Sequence, residues 1–297
     1  MKKKSIKTNF SDKSFDILNA IMMICVFAAT LYPLVVVVSS SLSSAEALMA
    51  GKVKLLPVDF TLDGYKAVFQ NKTIWAGLGN SVFYTVVGTL VNLALTILAA
   101  YPLSRNDFAP KNILSFVFAF TMWFSGGLIP TYLLVKDLGL FNSRLAMIIP
   151  TALNVWNMVI IRTYFQTNIS GEMLEAAKID GCDDYRYLWQ IAIPLSKPSI
   201  AVVALYYAVS HWNVFMQAYI YLQKQELYPI QVVLRDILLL SQTQEIAGDV
   251  ASDTNARLLS ELLKYAVVVV ASIPMIIIYP LVQKYFVKGI MVGGVKG

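Results

Sequence analysis

Charged positions along the chain leave six long runs without Asp, Glu, Lys or Arg: 17–45, 73–104, 112–135, 145–161, 198–223 and 265–283. One such charge at mid-bilayer costs at least about 2.5–3.5 kcal/mol, so a charge-free run of span length marks a segment solvated by lipid. Each run approaches or exceeds the roughly 17–25 residues a spanning helix needs, whereas the next longest, 187–196, is far too short. The pattern predicts an all-α polytopic membrane protein with six transmembrane helices, their cores at 17–38, 77–101, 112–135, 144–164, 199–222 and 262–282. Residues 1–16 then form an N-terminal tail, 17–38 the first helix and 39–76 an extracytoplasmic loop. A five-helix body occupies 77–283, interrupted by loops at 163–198 and 223–261, and 284–297 form a C-terminal tail.

Composition agrees with this pattern. Of 297 residues, 57% are hydrophobic and 14% charged, against about 45–50% and about 25% in an ordinary soluble protein. The first apolar run is too long for the core of a cleaved signal peptide and no small-x-small cleavage site follows it, so it is expected to persist as an anchor. Cys25 falls inside the first span and Cys182 in a loop, which excludes a disulfide framework. With six spans, fourteen Lys and Arg fall on the side of the termini and nine on the other. The bias, led by the basic start MKKKSIK, predicts cytoplasmic termini in a multi-pass cell (plasma or inner) membrane protein. That basic start is drawn to lipid head groups, and the net charge of +6 implies no nucleic-acid partner.

The 163–198 loop carries the densest signal. Residues 170–194 read SGEMLEAAKIDGCDDYRYLWQIAIP. Ser170 is suited to cap a helix whose first turns carry Glu172 and Glu175, where acidic groups oppose the positive end of the helix dipole. Gly181 can end that helix in a left-handed conformation. Asp183 or Asp184 then caps a second short helix, expected to stop before Pro194.

In these residues the chain resembles the membrane subunits of ABC-type importers, whose cytoplasmic loop carries Glu-Ala-Ala, three residues, Gly, nine residues and Ile-x-Leu-Pro. Here Glu175, Ala176 and Ala177 are followed three residues later by Gly181 and nine later by Ile191, Ala192, Ile193 and Pro194, with Ile193 in place of Leu. Asp180 beside Gly181 and the ending from Gln283 to Gly289 look like the sugar-import branch, and within it the second permease of maltose-type and poly- or oligosaccharide-type systems. The likeness runs from the first span to the C-terminus and is weakest in 39–76. It implies a type I ABC importer permease fold in which Glu175, Ala176, Ala177, Asp180, Gly181 and Pro194 couple to an ATPase. The implied partners are a second homologous permease, an ATPase dimer that uses ATP and Mg, an extracytoplasmic sugar-binding protein and membrane lipids.

The chain supplies no motor of its own. Its one Gly-Lys pair, Gly51-Lys52, lacks the phosphate-loop spacing, so no ATP hydrolysis, catalytic residue or cofactor is expected in this polypeptide. One His and two distant Cys cannot build a metal site. No span interior carries a carboxylate or a basic side chain, which argues against a proton- or sodium-coupled carrier.

A sugar ring offers an apolar face for stacking and hydroxyls for hydrogen bonds. The fifth span suits such a cargo through Tyr206, Tyr207, His211, Trp212, Asn213 and Gln217, and the fourth adds Asn154 and Asn157. Ser125, Gly126 and Gly127 with Pro130 in the third span suggest a broken or a closely packed helix, of which a helix–helix contact through the small residues is the expectation. In the outer loop, 228–238 reads as a helix and 241–255 as a polar tip, which the resemblance to maltose-type systems implies meets the binding protein.

Overall fold

The computed structural model describes residues 10–246 and 254–293, and among these every regular element is helical. In chain order they are α1 (Phe10–Ser41), α2 (Ala45–Met49), α3 (Asp63–Gln70), α4 (Lys72–Ser104), α5 (Lys111–Trp123), α6 (Leu128–Asp137), α7 (Val155–Asn168), α8 (Gly171–Ile179), α9 (Asp184–Tyr187), α10 (Ile193–Leu195), α11 (Lys197–Trp212), α12 (Met216–Tyr221), α13 (Ile230–Ile246) and α14 (Thr254–Gly293). Short 3₁₀ segments occupy Arg144–Met147, Ile149–Thr151 and Gln225–Leu227.

Three stretches are each long and apolar enough to cross a bilayer alone: Lys13–Ser41, Lys72–Ser104 and Ser260–Pro280. Six is reached when each of three bent helix pairs is counted as one span: Lys111–Trp123 with Leu128–Asp137, Arg144–Thr151 with Val155–Asn168, and Asp184–Leu195 with Lys197–Trp212, bent by 116°, 51° and 82°. The bends revise the sequence reading in three places. Residues 125–127 break the third span instead of packing small residues against a neighbour: Gly127 has φ +85°, and a Cβ there would meet nothing within 4 Å. Pro194 does not end its helix. A π turn over Leu188–Ala192 precedes it, and the changed register absorbs the missing amide and the ring, so the helix runs on through α10. The fifth span stops at Trp212 and resumes at Met216, which breaks the continuous helical face expected across 199–222.

The chain divides into two compact units. One comprises residues 1–70 and 237–270. Within it the end of α1 and the residue pair after it are stitched to the stretch before α3 and to α3 itself: Ser39 Oγ donates to Leu55 O, Ser43 Oγ accepts from Val58 N, and Ser41 Oγ meets Tyr65 OH at 2.8 Å. Residues 63–70, within the stretch 39–76 expected to be a loop, form α3, with Asp63 in its first turn. Gly64 permits a close approach, since a Cβ there would sit 3.1 Å from Leu262 O.

The other unit comprises residues 71–236 and 271–297, and α4 is its spine. At 33 residues α4 spans about 50 Å, more than the hydrocarbon thickness of a bilayer. Asn71 caps it by accepting from Thr73 N and Ile74 N. Its buried stripe is small or polar, with Gly77, Ser81, Thr85, Gly88, Asn92, Thr96 and Ala100 recurring every third or fourth residue, while Val82, Val86, Leu90 and Leu98 are exposed. This inverts the soluble pattern, because lipid solvates apolar side chains and polar groups find partners only inside the bundle. Against that stripe pack α7 and α11. At one end of α4, Ala100 and Leu103 join Met158, Ile161 and Phe165 of α7 and Ala177, Tyr187, Leu188 and Ala192 of the 163–198 loop in one buried cluster.

Candidate functional site

Two features of the 71–236 unit gather the residues singled out in the sequence. The first is a cleft of about 510 Å³ between α4, α7 and α11. Tyr206, Trp156 and Ser210 are exposed on its walls, with Trp156 61% and Tyr206 44% exposed. Asn157, Tyr207, His211 and Asn92 line it from buried positions. Asn154 and Thr151 complete it at the start of α7.

Several of these side chains are committed to the scaffold. Asn154 caps α7, its Oδ1 accepting from Asn157 N at 3.1 Å. The Tyr207 hydroxyl accepts from Asn154 N at 3.0 Å and meets Thr96 Oγ1 at 2.7 Å, tying α11 to the head of α7 and to α4. Asn92 Nδ2 donates to Thr151 O at 2.8 Å, and its Oδ1 lies 3.4 Å from His211 Nε2. His211 packs so tightly on α4 that a Cβ on Gly88 would fall 2.5 Å from Nε2. The exposed wall of the cleft is therefore two aromatic rings, Tyr206 and Trp156, flanked by hydroxyl, amide and imidazole groups.

Three residues expected on this path lie elsewhere. Trp212 is buried in packing at 3% exposure. Asn213 folds back, its Nδ2 donating to Val209 O at 2.9 Å. Gln217 Nε2 donates to Ala146 O at 2.8 Å. Trp212, still within α11, lies about 100° round that helix from His211, whereas Asn213 and Gln217 fall at and beyond the break after it. Conversely, Asn92, Thr96 and Gly88 escaped sequence reasoning, although a polar or small residue at every third or fourth position of the second span is a legible signal.

The second feature is the 163–198 loop. Ser170 Oγ caps α8 by accepting from Met173 N, and Asp183 Oδ1 caps α9 by accepting from Arg186 N at 2.6 Å. Between them Gly181 has φ +77°, with Gly181 N donating to Lys178 O and Cys182 N to Ala177 O. This is the Schellman closure that a left-handed glycine allows. Glu175, Ala176, Asp180 and Pro194 are exposed. Ala177 is not: it belongs to the buried cluster, so its small side chain admits the chain's own helices rather than an outside partner. Ile179, Tyr185 and Trp189 are 86%, 77% and 64% exposed, three large apolar side chains on a polar loop.

Behind this loop lies a charge network. Arg105, the cap residue of α4, donates from Nε to Asp107 Oδ1 at 2.8 Å and from Nη1 to Asp184 Oδ1 at 2.7 Å, and Lys178 Nζ reaches Asp107 Oδ2 at 3.2 Å. Donation from the guanidinium holds the Asp107 carboxyl well below the usual carboxylate range. No group of His, Cys, Asp and Glu that could hold a metal ion occurs among the described residues.

Comparison with known proteins gives a consistent set. Residues 92–292 match the family model described as the binding-protein-dependent transport system inner membrane component. The chain is 43% identical to the polygalacturonan/rhamnogalacturonan transport system permease protein YtcP of Bacillus subtilis (strain 168), over 93% of this chain and 94% of that one. It is 42% identical to protein LplC of the same strain, over 95% of each. Among solved structures it is similar to a chain from a bacterial ABC transporter involved in the import of the acidic polysaccharide alginate, with a TM-score of 0.86 and 36% identity over 95% of this chain and all of that one.

Proposed function

The chain belongs to the family of binding-protein-dependent transport system inner membrane components, and from that premise we propose that it is one of two permease subunits of an ATP-driven importer for oligosaccharides released from a polysaccharide. The observation that carries the cargo assignment is the cleft between α4, α7 and α11, where Trp156 and Tyr206 expose rings beside Ser210, Asn157 and His211. Rings that stack on sugar faces, without a charged side chain lining the cleft, suit a site that must release what it admits. The names of its relatives, a polygalacturonan/rhamnogalacturonan permease and an alginate importer, make uronate-bearing oligosaccharides the first to test.

The 163–198 loop docks on an ATPase subunit, with Ile179, Tyr185 and Trp189 entering its cleft and Glu175 meeting a basic group at the rim. The ATPase dimer supplies ATP hydrolysis and uses Mg, and a second permease closes the other wall of the path. An extracytoplasmic binding protein delivers the sugar, and both termini are cytoplasmic, as the Lys and Arg bias favours.

Reconstitution with the partner subunits into vesicles, with ATPase activity and uptake followed over a panel of neutral and uronate oligosaccharides, tests this reading. At least one saccharide should stimulate hydrolysis and accumulate. Stimulation by a non-sugar polar solute alone would overturn the assignment.

A further inference from the structure

Arg105 sits where α4 ends, yet its side chain is only 9% exposed. Its guanidinium reaches three places. Nε and Nη2 grip the two oxygens of Asp107, while Nη1 donates to Asp184 and to Tyr101 OH at 2.8 Å. The guanidinium carbon also lies 5.6 Å from the centre of the Tyr101 ring. Asp107, gripped from one side by Arg105, is held from the other by Lys178.

Lys178 lies in the last turn of α8 and Asp184 opens α9, so the network holds both arms of the Gly181 turn against the end of α4. Among the ion pairs of the described residues, only Arg105–Asp184 and Lys178–Asp107 join distant segments; the others link positions two or three residues apart. An exposed pair contributes little. A forked guanidinium with its side chain largely enclosed and every arm engaged fixes geometry as well as charge.

We infer that Arg105 is a positioning residue for energy coupling: by holding Asp107 and Asp184 together it makes the α8–α9 loop and the end of α4 move as one body. A push on the loop then reaches α4 directly, and with it Gly88 and Asn92 where they meet His211 at the cleft, instead of being lost in flexing at Gly181. Packing of Ala177, Tyr187 and Leu188 with Ala100 and Leu103 gives the same junction an apolar floor. The inference rests on the docking role proposed above.

The test uses the complete assembly in vesicles. A Ser210→Cys reporter on the cleft wall, in a Cys25→Ser and Cys182→Ser background, is titrated with a membrane-impermeant maleimide with and without a non-hydrolysable ATP analogue. In the parent, nucleotide should change the reaction rate by a factor of about 5 or more, the scale of an ordinary coupling between sites. Arg105→Gln and Asp184→Asn should each bring that factor close to one while the ATPase subunits still co-purify and hydrolyse ATP, and the double variant should be no worse than either single one. Full nucleotide dependence in Arg105→Gln overturns the inference, as do additive losses in the double variant. If Arg105→Gln fails to assemble, Asp184→Asn, whose carboxylate side chain is 58% exposed, decides alone by the same criterion. A parent that shows no nucleotide dependence removes the docking role itself, and the inference with it.

Discussion

Gly88 shows how much one absent methyl can decide. Its Cα lets α4 and α11 approach until a Cβ would overlap the His211 ring at 2.5–2.8 Å. Gly88→Ala should cost about 1–3 kcal/mol, as overpacking does, and should lower the thermal stability of the purified protein together with uptake. At Gly181 the constraint is conformational: space around the missing Cβ is open, but φ is +77°. Gly181→Val should therefore strain the turn by about 1–2 kcal/mol, leaving the protein inserted while the partner ATPase hydrolyses ATP without transport. Normal uptake by that variant would exclude a mechanical role for the turn. Two neighbouring tyrosines are expected to separate structure from cargo. Tyr207→Phe removes the hydroxyl that joins three elements and should destabilise by about 1–3 kcal/mol. Tyr206→Ala, on an exposed wall, should spare stability and reduce saccharide uptake; the reverse ranking in a melting experiment paired with an uptake assay would refute this division.

At the scale of elements, the spans divide into straight and broken helices for local reasons. α4 keeps a continuous stripe of small and polar residues and runs unbroken. The third span turns by 116° at 124–127, where Gly127 takes φ +85° and Thr131 Oγ1 donates to its carbonyl at 2.7 Å. Gly127→Ala should thus destabilise by about 1–2 kcal/mol, whereas Gly126→Ala, whose Cβ would meet only Pro130 at 3.8 Å, should be nearly neutral; equal melting temperatures for the two variants would show that the bend does not depend on the left-handed residue. The composition of 125–127 allowed a broken helix or close packing. Which of the two applied depended on whether a neighbouring helix approached, and hydropathy along one chain does not encode that. The same holds for Asn213 and Gln217, whose assignment to the path presumed a fifth span that stays helical from 199 to 222. The polar tip read over 241–255 lies in part, at 247–253, outside the described residues.

Across the whole molecule, charge avoids the spans and gathers in the loops, so sidedness becomes testable with native chemistry. Cys182 should resist an impermeant maleimide in right-side-out cells and react once the membrane is opened, while Lys224→Cys should react from outside; the opposite pattern would invert the orientation proposed here. The helical membrane-protein class and the capped helix, glycine turn and second helix of the 163–198 loop were legible in the sequence alone, because charge exclusion from hydrocarbon, side-chain capping and left-handed glycine act over a few neighbouring residues. The cleft and the Arg105 network were not. They join Asn92 to His211 and Arg105 to Asp184, positions 119 and 79 residues apart. Only helix packing decides which of many buried amides and loop charges become neighbours, and whether a buried side chain such as Ala177 or Trp212 faces a partner or the chain's own core.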